Sequence, residues 1–487
     1  MENKQINLAF YAFAISNVMV GLDGTIVATI MPSLMADLHG MTYMSWVVAS
    51  YFLMMASSTP IWTKMGERFG LKKMFLIGTV IYILTSFVQG ISPNIFVFIL
   101  ARAFMGIGAG GMLQLPFVIF GKYLKGAERR AAFGRATTSY AIASAIGPFV
   151  GGWISQNFGW EWTFYINIPI GILMYVLVNH NFNSKFDSST EKIDFIGSGL
   201  IVLLVSSLLM GLQLLGEVNS SMTLVVLLFA FSAILLALFV VFENKNVEPI
   251  LPLRLFRNLS FSMKQIVAFV EFGFFYGYMT YFPIWSQGVL GKTATVGGLI
   301  MVPGSVAIAL GSAFSKKIIN RIGEKNSVSL SLLTMLIGTV IILTLGMNNS
   351  VISLTISGII IGFANGLFFS IQQSATQDAV KQRDIGPATS LNSLFRTIGS
   401  TVFLSIFSLT LNTRFYESVE RSHNQVTMDF FNKISDVQAA KSIPNEFLPL
   451  LRNTLYDGLH GVVVMMAILM IVAIIINQWL DPWKTNN

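Results

Sequence analysis

The chain has 487 residues, 54% of them hydrophobic and only 11% charged, with a formal net charge of +8 and no cysteine. Soluble proteins carry about 25% charged residues, so the composition excludes a soluble globule and describes a polytopic membrane protein. The missing cysteines exclude disulfides, thiolate metal sites and thiol nucleophiles.

Apolar runs long enough to cross a bilayer recur from end to end. They predict spans at roughly 8–31, 43–63, 74–90, 94–117, 136–156, 163–181, 194–215, 221–243, 259–283, 293–314, 327–346, 350–373, 387–411 and 457–480. The first run has no small-residue cleavage site, so it reads as a retained helix. Lys and Arg of the short connections fall almost wholly on one side, including Lys64, Arg68, Lys72, Lys122, Arg129, Lys316, Arg321 and Lys381. That bias predicts both termini in the cytoplasm and a cell (cytoplasmic) membrane location, and it makes the basic excess a topology and anionic-lipid signal rather than a nucleic-acid patch.

Within the first span, Gly21-Leu22-Asp23-Gly24-Thr25-Ile26-Val27 places a carboxylate far along the chain from other charges. A carboxylate in hydrocarbon costs several kcal/mol, so such residues face a cavity or a partner and mark transport paths. Asp23 is therefore expected to line a polar centre.

The connection after the second span, Thr63-Lys-Met-Gly-Glu67-Arg68-Phe-Gly70-Leu-Lys-Lys73, returns after the tenth as Lys316-Lys-Ile-Ile-Asn320-Arg321-Ile-Gly323-Glu-Lys-Asn326. The repeat pairs spans 1–6 with 9–14 and leaves the seventh and eighth as an insertion. The expected fold class is an all-α polytopic membrane protein of about 14 transmembrane helices, in two six-helix bundles with an inserted helix pair. The bundles are 1–181 and 259–480, the insertion is 194–243, and the second bundle includes a long outer loop at 412–455. Glu67, Arg68, Gly70, Arg321 and Gly323 are expected to form a latch: the glycines let the chain turn, and the charges pair with neighbouring helix ends.

These stretches carry a resemblance. The chain resembles the major facilitator superfamily, and within it the fourteen-helix drug–proton antiporter branch, along almost its whole length. Residues 63–73 match the family's Gly-x-Leu-Ala-Asp-Arg-x-Gly-Arg-Lys signature, with Thr63 for the first Gly and Glu67 for the Asp. Leu22 to Pro32 resembles the branch's first-helix motif, with Ala28 where Asn is usual, and Leu100 to Gly108 resembles its fourth-helix motif, with Met105 for Gln. Ala143 to Gly152 resembles the fifth-helix antiporter motif. Trp160 to Phe164, Asn167 to Gly171 and Pro252 to Asn258 also follow the branch, although Glu161 stands where Arg is usual.

Chemistry follows from placement. Arg102 in the fourth span sits at a depth similar to that of Asp23 at 1.5 Å rise per residue, and an intramembrane Arg needs a partner. The two are expected to form a proton-coupling pair whose separation changes with conformation, with a fixed structural ion pair as the alternative. Glu271 is the other isolated carboxylate, in the ninth span, with Phe275, Tyr278 and Phe282 following on its face. A carboxylate beside aromatic rings suits a lipophilic cation, so these four are the expected substrate-binding residues. Gly147, Pro148, Gly151 and Gly152 make a kinked, small-sided helix suited to close packing and pivoting, which by resemblance points to export. Arg396 reads as structural. Asp457 and His460 share a helical face and read as polar contacts or a minor proton relay, since two ligands make a poor metal site.

The expected function is a proton-coupled antiporter that exports hydrophobic, often cationic drugs and dyes by alternating access. Its partners are small-molecule substrates, protons and the bilayer, with no nucleic acid, and it reads as a monomer. An exporter of lipid, fatty acid or another metabolite is the alternative. A membrane enzyme is disfavoured because the histidines are scattered, and without a Gly-Lys-Ser/Thr phosphate loop ATP does not drive it directly. No cofactor and no metal site are expected.

Overall fold

A computed structural model of the chain describes residues 2–38, 44–182, 195–215, 221–245, 253–292, 294–344, 346–347, 350–422, 426–434 and 439–479. Among the described residues every regular element is helical. The α-helices are α1 (Glu2–Leu38), α2 (Met44–Phe69), α3 (Leu71–Gly90), α4 (Ile95–Tyr123), α5 (Gly126–Phe158), a short α6 (Trp162–Tyr165), α7 (Asn167–Asn181), α8 (Phe195–Leu215) and α9 (Met222–Lys245). They continue as α10 (Leu259–Ile284), α11 (Ala294–Thr344), α12 (Val351–Asp378), α13 (Ile385–Arg421), α14 (Met428–Ile434) and α15 (Leu448–Trp479). Eight helices are long and apolar enough to cross a membrane by length and composition, counted among the described residues. Hydrocarbon offers no partner for backbone N–H and C=O groups, so a helix that bonds all of them internally is the form such sequences take.

Several helices run past the apolar spans. α5 starts at Gly126 and α13 continues to Arg421, because helical hydrogen bonding does not stop where the side chains become polar. α11 joins the tenth and eleventh spans but is broken at Gly323, whose φ is 78° and ψ 168°. Gly70, between α2 and α3, has φ 96° and ψ 129°. Both repeat glycines thus hold positive φ with extended ψ, a region that glycine enters without a Cβ clash.

Packing divides the chain into two compact units. Unit 1 comprises Met1–Gly211, Val226–Ser262 and Gln372–Leu394; unit 2 comprises Leu212–Val225, Met263–Ile371 and Phe395–Asn487. In unit 1, Ile26, Ile30 and Leu34 of α1 bury against Val47, Phe98, Trp160 and Phe164, and Phe13 meets Phe75 and Phe182 edge-on at 4.9 and 5.4 Å. α8 joins α2 through the Ser57 and Ser206 hydroxyls at 3.0 Å, and α9 through Ser207 and Ser232 at 2.8 Å. Elsewhere α9 exposes an apolar stripe, Leu227, Phe231, Ile234, Leu238 and Val241, at helical spacing. Unit 2 has its own core, in which α10 contributes Phe274, Tyr278, Tyr281 and Phe282 and α15 contributes Leu455, Leu459, Met466 and Met470.

Candidate functional site

In unit 1, Asp23 and Arg102 meet. Arg102 Nη1 donates to Asp23 Oδ2 at 2.5 Å, and both side chains are buried. Arg102 Nε also donates to the Val47 carbonyl at 3.3 Å, and the guanidinium lies 4.3 Å from the centre of the Tyr51 ring. Met105, beside the arginine on α4, places Sδ 3.9 Å from Nη1 and accepts from Gln89 Nε2 at 2.7 Å. The cation is therefore held by a carboxylate, a carbonyl and an aromatic face, and the carboxylate by one charge-assisted bond.

α1 is seated against α5 by the glycine motif. A Cβ on Gly147 would fall 2.1 Å from Thr25 Oγ1, and one on Gly151 would fall 3.0 Å from Ile26 Cγ2. Ser144 Oγ donates to the Gly21 carbonyl at 3.2 Å. The stretch around Asp23 and the small-residue run thus face each other, a juxtaposition signalled only by the small side chains on both helices. Gly152 faces open space, and the Pro148 side chain lies outside the described residues. Gly147→Leu should therefore impair turnover at least tenfold, and Gly152→Ala should leave it unchanged. Efflux rates normalised to membrane protein level check this, and equal rates would leave the packing role without support.

At the Gly70 turn, Glu67 accepts from Lys122 Nζ at 3.2 Å. It also lies against Gly386 in the first turn of α13, where free N–H groups favour a carboxylate. The α12–α13 corner is fixed in unit 1 by further polar contacts. Arg129 pairs with Asp378, Arg254 Nη2 with Asp384 at 2.7 Å, and Ser390 donates to Thr63 Oγ1 at 2.5 Å. Arg68 lies over its neighbour Phe69, while Arg321 and Gly323 are exposed in unit 2.

In unit 2, Glu271 is fully buried, and its Oε1 accepts from Asn365 Nδ2 at 2.7 Å. Its Oε2 is buried with no hydrogen-bond partner among the described residues. Arg396 acts on Glu271 electrostatically, and its guanidinium sits 3.9 Å from the Phe272 ring centre and 4.5 Å from that of Phe369. Phe275 stacks on Tyr278 at 6.4 Å, and Tyr278 meets Phe282 at 4.7 Å. Tyr278 and Phe282 belong to the core of unit 2, where the Tyr278 hydroxyl donates to Met301 Sδ at 3.8 Å. Sequence reasoning missed Asn365, Phe272 and Phe369. An amide inside the apolar run of α12 was the available signal for the first. Asp457 is exposed and His460 half-buried, with Tyr456 beside the imidazole at 5.6 Å.

Fold and site together describe a multi-pass helical membrane protein with a buried ion pair in one unit and a buried carboxylate in the other. Residues 13–404 match the model of the Major Facilitator Superfamily, and the chain belongs to that family of small-molecule transporters. It is 28% identical to the "Multidrug transporter protein MdtP" of Bacillus subtilis (strain 168), covering 96% of this chain and 91% of that protein. It is 30% identical to "Multidrug resistance protein 3" of the same organism, over 80% of this chain and 76% of the relative. Among solved structures, the human organic anion transporter MFSD10 (TETRAN) superposes with a TM-score of 0.65 at 11% identity, over 96% of this chain and 99% of the other. That likeness concerns the fold alone.

Proposed function

We propose that this chain is a proton-coupled antiporter that exports hydrophobic, often cationic compounds by alternating access. The relatives named as multidrug transporters support export, and the buried Asp23–Arg102 pair is the observation that carries proton coupling. On this reading the halves 1–181 and 259–480 exchange access around the insertion 194–243, with both termini cytoplasmic. A proton reaching Asp23 releases Arg102 from its charge-assisted acid partner, leaving the carbonyl and ring contacts to hold it. Protonation thereby shifts the balance between conformations, and cargo that favours one of them shifts proton affinity reciprocally. Each proton crossing 100 mV contributes about 2.3 kcal/mol, more than a tenfold concentration ratio.

Dye efflux from cells, with and without an uncoupler, tests the coupling. Efflux should stop when the proton gradient collapses, and unchanged efflux would exclude antiport.

Glu271 is the proposed acceptor of cationic cargo, through the oxygen that Asn365 leaves unbound, beside Phe275. Glu271→Gln should weaken cationic substrates by roughly tenfold or more and leave neutral ones within about twofold, since an amide keeps the Asn365 contact but loses the charge. Binding of a matched pair of cationic and neutral dyes to purified protein reads this out. An equal loss for both members of the pair would remove the charge-selective role.

A further inference from the structure

Where α10 ends, the backbone opens into a π-helical turn, Trp285–Val289, and reverses at Gly291, whose φ is +61°. Such widened turns are frequent at functional sites. The turn packs against α15 in unit 2. A Cβ on Gly291 would lie 3.0 Å from Arg452 Nη2, so the guanidinium rests on bare backbone there. Arg452, Tyr456 and His460 follow one another at four-residue spacing on one face of α15. The Trp285 and Tyr456 rings meet edge-on at 5.5 Å, and the Tyr456 and His460 rings lie tilted at 5.6 Å.

Three nitrogens in this patch are buried with no hydrogen-bond partner among the described residues: Trp285 Nε1, Arg452 Nε and His460 Nδ1. Trp285 is only 2% exposed, so bulk water does not serve its N–H. Two of the three are obligate donors, and the imidazole Nδ1 donates when it carries the proton. Among the described residues, the acids nearby do not supply the acceptor. Asp457 is exposed on a neighbouring face of α15, and Glu417 is engaged by Arg414 at 3.3 Å and Arg421 at 3.6 Å. A buried donor left unmade costs stability, and native structures rarely leave several together. A metal ion would meet donors where it needs lone pairs. A group rich in acceptor oxygens fits, and the planar guanidinium suits phosphate or carboxylate in particular.

We propose that Trp285, Arg452 and His460 form an oxyanion-binding site, for a phosphate or carboxylate group, at the end of unit 2 where α15 begins. The source is either a lipid headgroup or a soluble oxyanion, and the chemistry of recognition is the same. The site is separate from Asp23 and Glu271 and does not depend on their proposed roles.

The test uses full-length protein in a nonionic detergent, with thermal stability read by size-exclusion after heating. Inorganic phosphate and phosphatidylglycerol are titrated separately, and sodium chloride at matched ionic strength is the control. Stabilisation by phosphate assigns a soluble oxyanion, and stabilisation by phosphatidylglycerol alone assigns a headgroup. In either case Trp285→Phe, which removes only the N–H, should weaken binding about tenfold, and Arg452→Gln more than that. Arg452→Lys, which keeps the charge without the fork, should fall between native and Arg452→Gln. No stabilisation beyond chloride, or native affinity in both Trp285→Phe and Arg452→Gln, would overturn the proposal and leave the patch to ordered water.

Discussion

Asp23→Asn should abolish gradient-driven export of every substrate while leaving substrate binding measurable. The substitution keeps an oxygen that can accept from Arg102 Nη1, which now lies 2.5 Å from Asp23 Oδ2. The Val47 carbonyl and the Tyr51 ring continue to hold the guanidinium, so the variant should fold. What it loses is the ability to exchange a proton and the negative charge opposite a buried cation. Removing one partner of a buried pair typically costs about 3–5 kcal/mol. Some of that cost should appear as a lower unfolding temperature, and the isosteric amide should limit it. The decisive measurement is substrate-induced proton release from purified protein. Native protein should release protons on dye addition, and Asp23→Asn should release none. Unaltered release would remove Asp23 as the coupling site, whatever the effect on export. Asp23→Glu adds a control: it keeps the titrating group on a longer stem, so a fixed structural pair and a proton carrier respond differently to it. If the pair is only structural, Asp23→Glu and Asp23→Asn lose stability without separating in proton release.

The ion pair was legible in the sequence because charge inside an apolar span is rare and its partner must lie at matching depth. Asp23 and Arg102 stood out in this way, and the structure brings them together. The paired glycines were legible for a different reason: Arg68-Phe69-Gly70 and Arg321-Ile322-Gly323 repeat a turn, and both glycines take positive φ. Helix ends were less legible, since hydropathy marks the hydrocarbon and not the hydrogen-bond ladder, so α1 begins at Glu2 and α5 at Gly126. The surroundings of Glu271 were the hardest to read. Helical spacing puts Phe275, Tyr278 and Phe282 on its face, but spacing within one helix carries no information about the neighbouring helix. Phe272 comes from α10, Asn365 and Phe369 from α12 and Arg396 from α13, and only packing assembles them.

That packing leads to the second large effect, at the crossing of α11 and α12 in unit 2. A Cβ added at Gly311 would fall 1.9 Å from the Phe363 carbonyl oxygen, and one at Gly366 would fall 1.9 Å from the Ile308 carbonyl oxygen. Gly362 is similarly placed, 2.2 Å from the Gly304 carbonyl. Gly358, Gly362 and Gly366 recur at four-residue spacing, the small-residue signature of close helix contact. The obstructing atoms are backbone, so no side-chain rotation can make room. To accommodate Gly311→Val or Gly366→Val the two helices must separate by about 1.5 Å, which forfeits much of the dispersion contact along the crossing. In a bilayer that contact is a main force between helices, because lipid tails are as apolar as the buried side chains. Either variant should therefore be lost from the membrane or elute as aggregate in detergent, at any substrate concentration. Gly461→Ala is the informative contrast. Its added Cβ would meet Thr410 Cγ2 at 3.6 Å, an ordinary van der Waals contact, so this variant should fold with near-native stability. Fluorescence-detected size exclusion across a temperature series separates the cases. A monodisperse Gly366→Val with native thermal stability would show that α11 and α12 are not in backbone contact. It would also remove the basis for placing Asn365, next along α12, against Glu271.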